Sequence, residues 1–88
     1  MTWKVDFSKE AFKFIKKQEI AGKVIGEIKS FILKTKGEDI NIDIKKLTGK
    51  WKDFYRIRKG EIRIIFTVNY ESKRFYIEKV DFRGNIYK

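Results

Sequence analysis

An 88-residue chain is one small domain spanning 1–88, too short for two independent cores. Its 42% hydrophobic content, with 14 aromatic residues, excludes intrinsic disorder. Cysteine and histidine are both absent, which excludes disulfides, thiolate chemistry, the usual zinc ligands and the usual neutral-pH general base; no cofactor is implied.

Formal net charge is +10, from 22 basic and 12 acidic residues, and favours a polyanionic partner. The excess is uneven: residues 1–44 hold nine basic and seven acidic side chains, residues 45–88 thirteen and five. All five arginines lie in the second part, at Arg56, Arg58, Arg63, Arg74 and Arg83. Scattered lysines are explained by solubility alone; segregated arginines, suited to planar two-point phosphate contact, are not. No apolar run reaches membrane-spanning length and no signal peptide is evident, so the expectation is a cytoplasmic protein with no membrane partner.

Trp3, Val5 and Phe7 alternate with Lys4 and Asp6, which predicts a half-buried strand. Ser8 stands as an N-cap, with Glu10 in the first turn, for a helix to about Gln18 carrying Ala11, Phe12 and Ile15 on its apolar stripe. Ile20, Val24, Ile28, Phe31 and Ile32 recur at helical spacing and predict a second helix over 20–34, stopped near Gly37. Gly22 and Gly26 each weaken that helix by about 1 kcal/mol relative to alanine and are read as allowing close packing on the first helix.

Residues 37–50 are polar around isolated Ile40, Ile42 and Ile44 and read as a loop or irregular extended segment, with Lys45, Lys46 and Lys50 clustered near its end. Strands are expected over 51–58, 61–69 and 74–81, the first two joined at Lys59-Gly60. The fold class is therefore α+β: an N-terminal strand, a helical hairpin, then an antiparallel three-stranded meander forming one twisted sheet. Alternation places Tyr55, Ile57, Ile62, Ile64 and Phe66 under the helices and Arg56, Arg58 and Arg63 on the open face. Three guanidiniums crowded into one hairpin repel each other, and a bound RNA backbone explains the crowding. The competing reading pairs Arg56 and Arg58 with Glu61, Glu78 or Asp81 in surface ion pairs of little energetic worth. Trp51, Tyr55 and Phe66 read as core, and Arg74 as solvated.

The run from Lys46 to Phe66, with Leu47-Thr48-Gly49, Tyr55-Arg56-Ile57-Arg58, a Gly60 turn and Ile62-Arg63-Ile64-Ile65-Phe66, resembles the signature of the RelE/ParE toxin superfamily. The ending Phe82-Arg83-Gly84-Asn85-Ile86-Tyr87 is similar to that superfamily's tail, and the order of elements matches along essentially the whole chain. The resemblance implies the RelE-like, microbial-ribonuclease type of fold and a ribosome-dependent endoribonuclease (an mRNA interferase) of a type II toxin–antitoxin system. It would cut mRNA in the decoding site, beside the 16S rRNA, and be neutralised by a cognate acidic antitoxin. It also implies catalytic roles for Arg56, Arg58, Arg63, Arg83 and Tyr87. Lys45, Lys46, Lys50 and Lys52 beside the hairpin are candidate RNA or ribosome contacts by their charge, and Phe82 by stacking on an unpaired base; Phe82 reads equally as core, and Tyr87 as a packing cap. Some RelE-like members carry lysines where Arg56 and Arg58 stand, and an arginine cannot shed its proton as a lysine can. The alternatives are a ParE-like inhibitor of DNA gyrase without nuclease activity and a non-catalytic RNA-binding module.

Overall fold

Ser8 ends the first strand and starts the first helix. Its Oγ accepts the Ala11 N–H at 3.0 Å, as an N-cap should, and donates to the Glu78 carbonyl at 2.7 Å. The computed structural model describes residues 3–82; in it β1 is Lys4–Phe7, α1 Lys9–Gln18, α2 Ala21–Thr35, β2 Asp43–Lys46, β3 Tyr55–Lys59, β4 Ile62–Asn69 and β5 Arg74–Phe82. A 3-10 turn at Gly49–Trp51 precedes β3. The strands form one five-stranded sheet in the order β1-β5-β4-β3-β2, and the fold class is α+β, as expected.

The two helices follow one another across Glu19 and Ile20. Glu19 adopts left-handed backbone (φ 54) and its N–H returns to the Ile15 and Lys16 carbonyls, closing α1. The glycines of α2 are not there for packing: a Cβ on Gly22 or Gly26 meets no atom within 4 Å, so the expected close approach to α1 is absent.

The sheet differs from the expected meander in three ways. β1 pairs with β5 in parallel, Lys4 opposite Arg74 through Phe7 opposite Ile77. Residues 43–46, within the segment read from the sequence as a loop or irregular extended segment, form an edge strand antiparallel to β3. Its apolar signal is a single half-buried residue, Ile44, flanked by Asp43, Lys45 and Lys46, and edge lysines are how natural sheets discourage further pairing. The turn between β3 and β4 is Gly60-Glu61, one residue later than expected, with Lys59 and Ile62 as the closing pair. Gly60 has φ +59, as the first central residue of a tight hairpin turn of type II′ requires.

The core lies between the helices and one sheet face. Val24, Ile28 and Phe31 of α2 meet Ile57, Ile64, Phe66, Phe75 and Ile77, all essentially without solvent contact. Phe31 contacts Phe66 (centroids 5.3 Å) and Phe75 (5.8 Å) edge-on, and such pairs contribute about 0.5–1.5 kcal/mol each beyond their buried area. β5 carries a bulge: Ile65 pairs with Lys79 and Phe66 with Ile77, leaving Glu78 as the extra residue. It shifts the alternation by one position, so that Phe75 and Ile77 before it and Val80 after it are all buried. The carbonyl accepting from Ser8 belongs to that extra residue.

Candidate nucleic-acid interface

Strand register brings the arginines of the hairpin together on the sheet face opposite the helix-side core. Asp43, Arg58, Arg63 and Asp81 form one cross-strand row, from β2 through β5. The next row on that face is Lys45, Arg56, Ile65 and Lys79. Five cations thus stand against two carboxylates in two adjacent rows.

Asp43 holds two of the arginines. Arg56 Nη2 donates to Oδ1 at 2.9 Å and Arg58 Nε donates to Oδ2 at 2.8 Å, so each carboxylate oxygen takes one guanidinium. The hydrogen bond from Arg58 comes first in holding the Asp43 carboxyl below its ordinary value; the charges of Arg58 and Arg56 add to it and outweigh an opposing desolvation. Asp43, rather than Glu61, Glu78 or Asp81, is the carboxylate bonded to these two arginines. Each arginine gives the carboxylate a single N–H, so Asp43 bridges two guanidiniums rather than filling the fork of one.

The two arginines are not equally accessible. The Arg56 side chain is 12% exposed and that of Arg58 35%. Arg56 Nε is buried with no hydrogen-bond partner among the described residues. Beside Arg56 in register lies Ile65, fully buried although it sits outside the helix-side core. The arginine face is therefore not uniformly open: it is partly closed at Arg56 and more exposed at Arg58.

The flanking basic residues divide. Lys45 shares the face of Arg56, whereas Lys46 is opposite Tyr55 and so belongs to the other face. Lys50 lies in the 3-10 turn and Lys52 follows it. Lys46 and Lys52 line a shallow cleft of about 410 Å3 with Leu47, Thr48 and Asp53. Lys45, Leu47, Thr48, Trp51 and Arg56 line a second cleft of about 320 Å3 on the arginine side. Phe82 is in register with the core residue Ile62 and turns its ring edge to Phe14 at 5.2 Å, away from the arginines. Arg74 makes an exposed ion pair with Asp6 at 3.2 Å. Arg83 and Tyr87 lie outside the described residues.

Two residues of this region escaped the sequence reading. Asp43 was hidden because its strand was, although the spacing of Ile40, Ile42 and Ile44 was a period-two signal that could have found it. Trp51, expected in the core, lines the cleft beside Arg56 instead. Among the described residues no three His, Cys, Asp or Glu side chains gather in a way that could hold a metal ion, and no helix is long and apolar enough to cross a membrane.

No protein-family model matches the chain, and no curated protein sequence matches it. Solved structures do. The chain is similar to one in the archaeal RelE–RelB complex from Pyrococcus horikoshii OT3, at 29% identity over 97% of this chain and 99% of that one, with a TM-score of 0.59. It is similar at 29% identity to a chain of the RelB–RelE antitoxin–toxin complex from Methanococcus jannaschii, covering 93% and 94% of the two chains with a TM-score of 0.59. The YoeB dimer from Staphylococcus aureus shares the fold at 19% identity, covering 94% and 99% with a TM-score of 0.64. In its two helices, its five-stranded sheet and its chain-long similarity to archaeal RelE structures, this protein has the fold of the RelE-like toxin superfamily.

Proposed function

We propose that this chain is the toxin of a type II toxin–antitoxin pair and acts as a ribosome-dependent, metal-independent endoribonuclease on mRNA in the cytoplasm. The observation that carries the reading is the pair of cross-strand rows that concentrates Arg56, Arg58, Arg63 and Lys45 on one sheet face. The likeness to RelE chains crystallised with RelB supports an antitoxin partner, and a net charge of +10 favours an acidic one.

In the reaction proposed, the RNA 2′-oxygen gives up its proton and attacks the adjacent phosphorus. The bond from phosphorus to the 5′-oxygen breaks, and that oxygen takes up a proton. The products are a 2′,3′-cyclic phosphate and a 5′-hydroxyl. The nucleophile belongs to the substrate, so the protein's part is to hold the chain in line and to stabilise charge on the phosphoryl oxygens. Arg56, Arg58 and Arg63 grip and orient the backbone. Arg83 serves the scissile phosphate and Tyr87 the proton transfer, both by resemblance.

Mapping mRNA 5′ ends after incubation with programmed ribosomes tests this. Discrete new ends are expected. Arg83→Ala and Tyr87→Phe should lower cleavage by about 10²–10³-fold, the scale of removing one donor to a developing oxyanion, with ribosome binding little changed. Equal loss of both would make these side chains binding contacts. Intact message beside blocked DNA supercoiling would favour a gyrase inhibitor instead.

A further inference from the structure

Trp51 is a large aromatic residue that the fold leaves out of its core. It is half-buried and stands outside the cluster of hydrophobic side chains packed between helices and sheet. Its ring contact among the described residues is Phe54, edge-on at 5.4 Å. With Lys45, Thr48 and Arg56 it borders the cleft of about 320 Å3 on the arginine side. The cleft thus combines an indole with two cations, the combination by which single-stranded nucleic acids are held.

The segment carrying it is held firmly. The Trp51 N–H donates to the Thr48 carbonyl (3.2 Å), the Lys52 N–H to Gly49 (3.1 Å) and the Phe54 N–H to Trp51 (3.0 Å), while the Leu47 N–H reaches the Phe54 carbonyl (2.9 Å). Gly49 supplies a positive φ of 65 within the turn. The Thr48 hydroxyl makes no capping bond to the turn, which leaves a donor and acceptor at the cleft rim.

We propose that Trp51 is a stacking platform for one base of single-stranded RNA, with the adjoining phosphate held by Arg56 and Lys45. The proposal rests on the RNA-binding reading above and adds to it a base-contacting subsite. Stacking on an aromatic ring tolerates any base, so this subsite adds affinity and positions the strand; any base preference comes from the Thr48 hydroxyl.

The test uses the full chain carrying Trp3→Phe, which leaves Trp51 as its only indole. A short single-stranded RNA and an abasic sugar-phosphate strand of equal length are titrated at fixed salt while indole fluorescence is followed. The RNA is expected to quench the indole and to bind roughly 5- to 100-fold more tightly than the abasic strand. Adding Trp51→Ala should remove that advantage, Trp51→Phe should retain most of it, and the salt dependence should be unchanged in both. Equal quenching by the two strands, or RNA affinity unaffected by Trp51→Ala, overturns the platform while leaving a phosphate site in place. Binding of neither strand overturns the platform, while the nuclease reading is decided separately by the mRNA 5′ ends mapped on programmed ribosomes. The fluorescence arm keeps Trp51 intact, so it decides the matter even if Trp51→Ala does not fold.

Discussion

Asp43 faces Arg58 across the β2–β3 pair and accepts its Nε at 2.8 Å, so the cationic face of this protein contains its own anion. Because the other carboxylate oxygen takes Arg56 at 2.9 Å, one side chain both relieves the repulsion between two guanidiniums and fixes their separation. Under the RNA-binding proposal, a phosphate at this point would compete with a carboxylate already in place.

Replacing Asp43 with asparagine removes that competition. In the Asp43→Asn protein, single-stranded RNA should bind more tightly than to the wild type. The salt dependence should also steepen, because one more phosphate can be neutralised and each contributes about 0.7 to the slope of log K against log salt. Affinities over a salt series check this. An unchanged slope would mean that the carboxylate positions the arginines without screening them.

The same residue makes a pH prediction. Its carboxyl is held below the ordinary value of 3.8, first by the hydrogen bond from Arg58. A depressed folded-state pKa contributes stability that is fully present above the unfolded value and is lost as pH falls through the folded one. The stability difference between wild type and Asp43→Asn should therefore be constant from neutral pH down to about 4, then shrink as acid is added below it. Denaturant melts across that range test the sign; a difference that grows on acidification would contradict it.

Ser8→Ala should lower stability by about 1–2 kcal/mol, since it removes an N-cap and leaves the carbonyl of the bulged Glu78 without the hydroxyl that now serves it. For a domain of this size that corresponds to a fall in melting temperature of roughly 4–8 °C per kcal/mol. Ser8→Thr, which keeps the hydroxyl, should recover most of the loss.

Two glycine substitutions should act in opposite directions. Gly22→Ala adds a methyl group where no atom lies within 4 Å, and should stabilise α2 through helix propensity, by less than the roughly 1 kcal/mol of an interior position because Gly22 lies in the first turn. Gly60→Ala also meets open space, but φ is +59 there, and left-handed backbone costs an L-residue about 1–2 kcal/mol. Thermal melts of the two single variants should bracket the wild type. If both destabilise, Gly22 has a role that its surroundings do not reveal.

The helices were legible because their signals are local: Ser8 at the cap, and Val24, Ile28 and Phe31 at helical spacing. The β3–β4 hairpin was legible because Tyr55, Ile57, Ile62, Ile64 and Phe66 alternate, and the face given to Arg56, Arg58 and Arg63 follows from that alternation. β2 was harder to read, since only Ile44 of the alternating Ile40, Ile42 and Ile44 falls within the strand, which depends on β3 for its hydrogen bonds. Losing β2 meant losing Asp43, so the ion pairs were sought among acids lying on or next to the other strands. The parallel pairing of β1 with β5 is long-range and carries no local mark. The bulge did carry one: apolar residues at 75 and 77, then at 80 and 82, change parity midway along β5.

β5 is the last element of the described fold to be synthesised, yet it lies inside the sheet, between β1 and β4. Until it emerges, β1 has no strand to join, Ser8 lacks a carbonyl 70 residues away, and Phe31 lacks Phe75. Helices and a hairpin can form earlier from local contacts, but the core cannot close on them, and pairing between such distant segments is slow. The order of synthesis thus delays the native state until translation of the domain is almost finished. Arg56, Arg58 and Arg63 can gather on the β3–β4 hairpin before that point, but the closed sheet and core that hold the hairpin in place cannot form until β5 has joined them.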